Sequence, residues 1–132
     1  EGDVLIRLSF PYTSVLIDDN SCGLVVPSHF AIIRANREEV LPEYILWFLR
    51  RESTYQQILQ NSSGSTAFGT ISSGFIGSLN IRIFPKEKQK ALGQLLLLSN
   101  KEQVLLYRLA KEKAVFNKET LNIIYDKFKG EN

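Results

Sequence analysis

Between Ser62 and Gly77 the chain places five serines, two threonines and four glycines in sixteen residues. Hydroxyls and uncovered backbone N–H groups can bind phosphate oxygens without any basic side chain. Two familiar phosphate cradles are excluded. Gly64-Ser65-Thr66-Ala67-Phe68-Gly69-Thr70 lacks the Gly-Lys-Ser/Thr ending of a P-loop. It also follows a helix-like segment, whereas a dinucleotide-binding turn follows a strand. Ser/Gly clusters more often serve as plain connections, so the flanking segments must decide.

Little else suggests reaction chemistry. His29 is the one histidine and Cys22 the one cysteine. No serine or cysteine can be given a base, and no acid follows in a triad order. One Cys and one His cannot build the usual four-ligand zinc site. A surface or structural role suits His29, and a buried, inert thiol suits Cys22. The acid pairs Asp18-Asp19 and Glu38-Glu39 fall in turn-like stretches, where carboxylates are solvated.

The elements that would hold these residues follow from periodicity. Asp3–Ser9 and Tyr12–Ile17 read as strands, the second closed by Asp18-Asp19-Asn20-Ser21. Leu24-Val25-Val26 and Phe30-Ala31-Ile32-Ile33 are continuous apolar runs, the pattern of strands buried on both faces. Pro42 and Glu43 suit a first helical turn, and apolar residues recur at helical spacing from Ile45 to Leu59. This predicts one helix over 42–60, with Trp47 and Phe48 in the core. Leu79–Phe84 alternates and ends at Pro85, which predicts a further strand. From Lys86 the pattern is helical for about 40 residues, some 60 Å at about 1.5 Å per residue. Asn117 could cap a second piece of it. The expected class is α+β (mixed α/β). A small twisted sheet with a packed helix occupies residues 1–85, and a C-terminal helical arm occupies 86–132.

The composition agrees with this. The 132 residues are 44% hydrophobic and 23% charged, a globular balance for one domain and a modest core. No apolar run approaches the roughly 20 residues of a membrane span. With a single cysteine no internal disulfide can form, and a cytoplasmic protein is expected. The chain has no methionine and opens Glu1-Gly2-Asp3, which reads as a piece of something longer. Net charge is +2, unevenly spread. Residues 1–85 hold six arginines against eight acids; residues 86–132 hold nine lysines and Arg108 against six acids. Two blocks with different tasks would have such balances, −2 and +4.

Read in order, the segments resemble a known family. Gly2-Asp3-Val4-Leu5-Ile6 is followed by Ser28–Arg34 and by Pro42–Leu49. Ser62-Ser63-Gly64-Ser65-Thr66 with Ile71-Ser72 comes next, then Leu79–Pro85 with Gln89. This order is similar to the later part of a target-recognition domain from the DNA-specificity subunit of type I restriction-modification enzymes. The C-terminal helix is similar to that family's spacer. The likeness covers nearly the whole chain. Where the family has Pro-x-x-Glu-Gln before the spacer, this chain has Pro85-Lys86-Glu87-Lys88-Gln89.

The resemblance implies a non-catalytic subunit that reads a split site in double-stranded DNA and carries methyltransferase and restriction subunits. It binds no cofactor itself; S-adenosylmethionine, ATP and magnesium belong to those partners. The family's recognition domain begins before Gly2-Asp3-Val4-Leu5, so the likeness fits a half-subunit, a fragment, or a protomer that pairs with another. Ser63, Gly64, Ser65 and Thr66 would hold phosphates, and Arg34, Arg37 and Arg82 would supply charge or guanine contacts. Each arginine could equally form a surface ion pair. Leu95, Leu98, Leu105, Leu109, Phe116, Ile123 and Ile124 are the expected helix-pairing seam, which would support a homodimer. The alternative is a helical oligomerisation or adaptor protein that does not touch nucleic acid. No membrane partner is expected.

Overall fold

Val4 to Arg7 alternates apolar-in with outward-facing residues, and it becomes the central strand of a three-stranded antiparallel sheet. The computed structural model describes residues 2–63 and 69–131. Strand β1 (Val4–Arg7) pairs with β2 (Ser14–Leu16) on one side and β3 (Phe30–Ile33) on the other. Val4 faces Ile33, and Arg7 faces Phe30. Val4 and Ile6 are fully buried, while Arg7 is exposed. The β1–β2 connection is a turn closed by Tyr12 N–H donating to Ser9 O at 2.9 Å, with a cis Phe10–Pro11 peptide inside it.

Helix α1 (Pro42–Arg50) lays Ile45, Leu46 and Leu49 on the inner face of the sheet. The expected single helix over 42–60 is two. Arg51 is extended (φ −61°, ψ 135°), and α2 (Glu52–Gln60) starts anew beyond it. The reason lies in the core. In one straight helix Leu49 and Thr54 would point about 140° apart. Re-aiming the chain at Arg51 lets Thr54 and Ile58 be buried as well. A short helix, α3 (Ser73–Ser78), was not expected within the Ser/Gly stretch. Ser72 caps it by accepting the Phe75 N–H at 3.0 Å, and Ile76 anchors it in the core.

Other expectations need correction. Leu24-Val25-Val26 and Leu79–Phe84 form no ladder among the described residues, so neither is a strand. β3 is not buried on both faces, because Ile32 is half-exposed. Cys22 is exposed rather than buried; its thiol donates to Asp18 O at 3.4 Å. Trp47 and Phe48 are half-buried, Phe48 packing against the rim of the core.

Helix α4 (Lys86–Gly130) is continuous through Asn117. The chain divides into two compact units, Glu1–Leu96 and Leu97–Asn132, so the first turns of α4 belong to the α+β unit. There the buried Gln89 is the chief fastening. Its Oε1 accepts the Leu41 N–H at 2.9 Å, and its Nε2 donates to Glu39 O at 3.0 Å and Phe84 O at 2.7 Å. This supplies the N-terminus of α1, which has no side-chain cap of its own. One turn on, Gly93 lets α4 approach α1 closely: a Cβ there would lie 2.4 Å from Glu43 Cγ and 2.9 Å from its backbone carbon. The second unit is a single helix, exposed apart from the half-buried Asn100 and Thr120, with no core of its own. No helix among the described residues is long and apolar enough to cross a membrane.

Candidate functional site

Ser63 and Thr70 exchange both backbone hydrogen bonds, at 2.9 and 3.2 Å, and so close the base of the Ser/Gly loop. The Ser63 hydroxyl also donates to Thr70 O at 3.3 Å. Gly64, Ser65 and Thr66, the other loop candidates, lie outside the described residues. The loop base is tied to the end of β1. Thr70 bridges to Ser9, Ile71 N–H donates to Leu8 O at 2.8 Å, and Phe10 N–H donates to Gly69 O at 3.3 Å. The buried Tyr12 completes the fastening, its hydroxyl donating to Gly69 O at 2.8 Å. Gly69 is needed for this closeness: a Cβ would sit 2.8 Å from Ser62 Oγ and 3.2 Å from the Tyr12 hydroxyl.

The arginines singled out from sequence are not gathered here. Arg34 follows β3 at the opposite end of the sheet. It makes a two-pronged ion pair with Asp3, at 2.9 and 2.7 Å. The Arg34 hydrogen bonds hold the Asp3 carboxyl below the ordinary carboxylate range, and the same contact raises the Arg34 guanidinium. Arg37 stands beside Arg34's end of the sheet, over Gly2, where a Cβ would fall 1.7 Å from its Nη2. Gly2 takes φ +74°, a region glycine tolerates. From Asp3 to Ser9 the strand direction spans about 20 Å at about 3.3 Å per residue. Arg82 is set in the extended 79–85 segment rather than on a strand face. Its carbonyl accepts the Tyr44 hydroxyl at 2.7 Å, and its guanidinium lies 5.1 Å from the centre of the Phe84 ring.

The cation that does share the loop end is Arg7, which was not among the sequence candidates. It is exposed on the outward face of β1, and its Nε donates to Ser9 Oγ at 3.0 Å. His29 flanks the same end: its carbonyl accepts the Leu8 N–H at 2.8 Å, and its exposed ring rests 4.7 Å from Phe30. The in-out alternation of Val4, Leu5, Ile6 and Arg7 was the signal that could have found Arg7. That Ser9 and Thr70 meet could not be read from a separation of 61 residues.

No family model, no curated protein and no solved structure matches the chain. The chemistry of the loop end therefore stands on its own geometry. Arg7, Ser9, Ser63 and Thr70 bring a guanidinium and hydroxyl side chains to one end of the sheet, with the Ser63 hydroxyl turned to the Thr70 carbonyl. Among the described residues no group of three or more His, Cys, Asp or Glu is placed to hold a metal ion.

The seam residues have one common property. Leu95, Leu98, Leu105, Leu109, Phe116, Ile123 and Ile124 are all exposed, from 40% at Ile124 to 67% at Leu95. Val104, Leu106, Leu121, Tyr125 and Phe128 add to them on α4.

Proposed function

We propose that this chain is a non-catalytic DNA-recognition module, a specificity subunit or half-subunit of the type I restriction-modification kind. In this reading the Ser/Gly loop and Arg7 touch target duplex. Helix α4 pairs with another helix and serves as dock and ruler, fixing the spacing between two reading heads. Methyltransferase and restriction subunits would ride on the assembly and use S-adenosylmethionine, ATP and magnesium themselves.

The observation that carries the reading is the exposed apolar side of α4 in a unit with no core of its own. Fully burying each large apolar side chain is worth about 1.5–3 kcal/mol, so such a surface favours a partner. Parallel, in-register pairing of two copies would set Glu102 against Glu102 and Lys113 against Lys113 along the seam; antiparallel pairing avoids both. At the loop, hydroxyls and amides would fix register on phosphates, and Arg7 would add charge.

A second reading has its own support. Arg34 is engaged by Asp3, the arginine candidates are dispersed, and residues 1–85 carry a −2 balance. These favour an oligomerisation or adaptor protein that leaves nucleic acid alone.

Anisotropy of a labelled random-sequence duplex, titrated over a range of salt, separates the two. DNA recognition predicts weak binding whose logarithm falls with log salt at a slope of about −2 to −3, given two or three phosphate contacts at about −0.9 each. R7A should reduce that slope by about 1. Self-association with no salt-dependent duplex binding would leave the adaptor reading standing.

A further inference from the structure

A second cationic feature lies between α1, the 80–84 segment and the start of α4. It is a cleft of about 470 Å³, with Trp47, Phe84 and Leu92 on its walls and Arg51, Arg82 and Asn80 at its polar positions. The two guanidiniums are held by aromatic faces rather than by acids. Arg51 lies 5.9 Å from the centre of the Trp47 ring, and Arg82 lies 5.1 Å from that of Phe84. The rings are themselves fixed: Trp47 stacks on the buried Tyr44 at 5.6 Å, and Phe84 meets Tyr44 edge-on at 6.2 Å.

Among the described residues neither Arg51 nor Arg82 forms an ion pair with a carboxylate. Burial raises the pKa of the Tyr44 hydroxyl, and the charges of Arg51 and Arg82 oppose that rise. Two guanidiniums lining one cleft, each over an aromatic ring and neither paired with an acid, can receive a planar oxyanion. The walls are mainly apolar, and the site is a concave notch. That shape suits a carboxylate carried beside an apolar side chain better than the solvated ridge of a duplex backbone.

We propose that this cleft docks an acidic segment of a partner protein, with an Asp or Glu carboxylate between Arg51 and Arg82 and a neighbouring apolar side chain against Phe84 and Leu92. Charge complementarity selects the occupant: the cleft brings two cations and no acid, and the partner supplies the anion. The proposal stands apart from the DNA reading, since it uses neither the loop nor Arg7.

Trp47 is the single tryptophan of the chain, so its fluorescence reports on this cleft directly. The whole chain is titrated with a short peptide in which Asp and Glu alternate with Leu and Phe. The same titration is run with the Asn/Gln counterpart, inorganic phosphate and a short duplex. A saturable change with the acidic peptide is expected, and none with the neutral one. R51Q and R82Q should each weaken binding about tenfold, the loss of one charge-assisted contact. Both substitutions keep the backbone carbonyls that accept Thr54 N–H and the Tyr44 hydroxyl. Equal binding of both peptides would overturn the proposal, as would silence from both. A response to phosphate or duplex alone that depends on the two arginines would reassign the cleft to nucleic acid. If either variant fails to fold by circular dichroism, the comparison of the two peptides on the unaltered chain decides.

Discussion

Gln89 shows how one polar side chain can join three segments. It is fully buried, yet each of its polar atoms is satisfied by backbone from Leu41, Glu39 or Phe84. Q89A would strip a partner from the part-buried Leu41 N–H and from the Glu39 and Phe84 carbonyls. A loss of about 2–4 kcal/mol is expected from the usual cost of orphaned buried groups, measured as a lower urea midpoint at unchanged slope. The Asp3–Arg34 pair behaves differently, its arginine 79% exposed and its carboxylate 20% exposed. Asp3 is depressed in the folded chain, so its contribution is present above the ordinary carboxylate pKa and lost as pH falls through the lower folded value. In an NMR titration Asp3 should titrate below the ordinary carboxylate range and move back up in R34A. An unmoved Asp3 would mean that Arg34 does not hold it.

At the scale of elements, the start of α4 depends on a missing side chain. G93A would drive a Cβ against Glu43, whose Cγ can rotate aside but whose Cβ and backbone carbon, at 2.8 and 2.9 Å, cannot yield without moving α1. The intrinsic gain in helix propensity from Gly to Ala, about 1 kcal/mol, opposes this. Overpacking costs of about 1–3 kcal/mol should win, so the melting temperature should drop rather than rise. The exposed Gly130 has nothing near its Cβ position and lies outside that contact. G130A serves as the control, expected to be neutral within about 0.5 kcal/mol. A rise in melting temperature for G93A would refute the tight α1–α4 contact.

At the scale of the whole molecule, the two compact units differ in what can stabilise them. Glu1–Leu96 has a buried core around Val4, Ile6, Leu46 and Ile58. Leu97–Asn132 has only local helix hydrogen bonds, and isolated helices are marginal in water. Hydrogen exchange should therefore be slow in the first unit. In the second it should be fast at low protein concentration and slow as concentration rises, because protection there comes from pairing. L105D/L109D should abolish that concentration dependence while leaving the first unit's protection intact. Exchange in the second unit that is slow at every concentration would show that no second copy is needed.

The sequence by itself determined the class of this protein. Alternation marked β1, a change of period marked helix over 42–60 without its break, and a long three-four pattern marked α4, because these are properties of contiguous residues. It also marked the apolar seam, since helical spacing alone puts Leu105, Leu109 and Phe116 on one side. Tertiary structure decided where neighbours in space are distant in sequence. Leu24–Val26 and Leu79–Phe84 have strand-like composition, but a strand exists only where a ladder partner is present. The break at Arg51 arose because Thr54 and Ile58 had to share a core with Leu46 and Leu49. The same holds for the sites. Which acid would engage Arg34 was set only when the fold put Asp3 beside it, and Arg7 gained its place when residue 70 was brought to residue 9. Side-chain type is local, whereas the partner that engages or frees a charge is chosen by the fold.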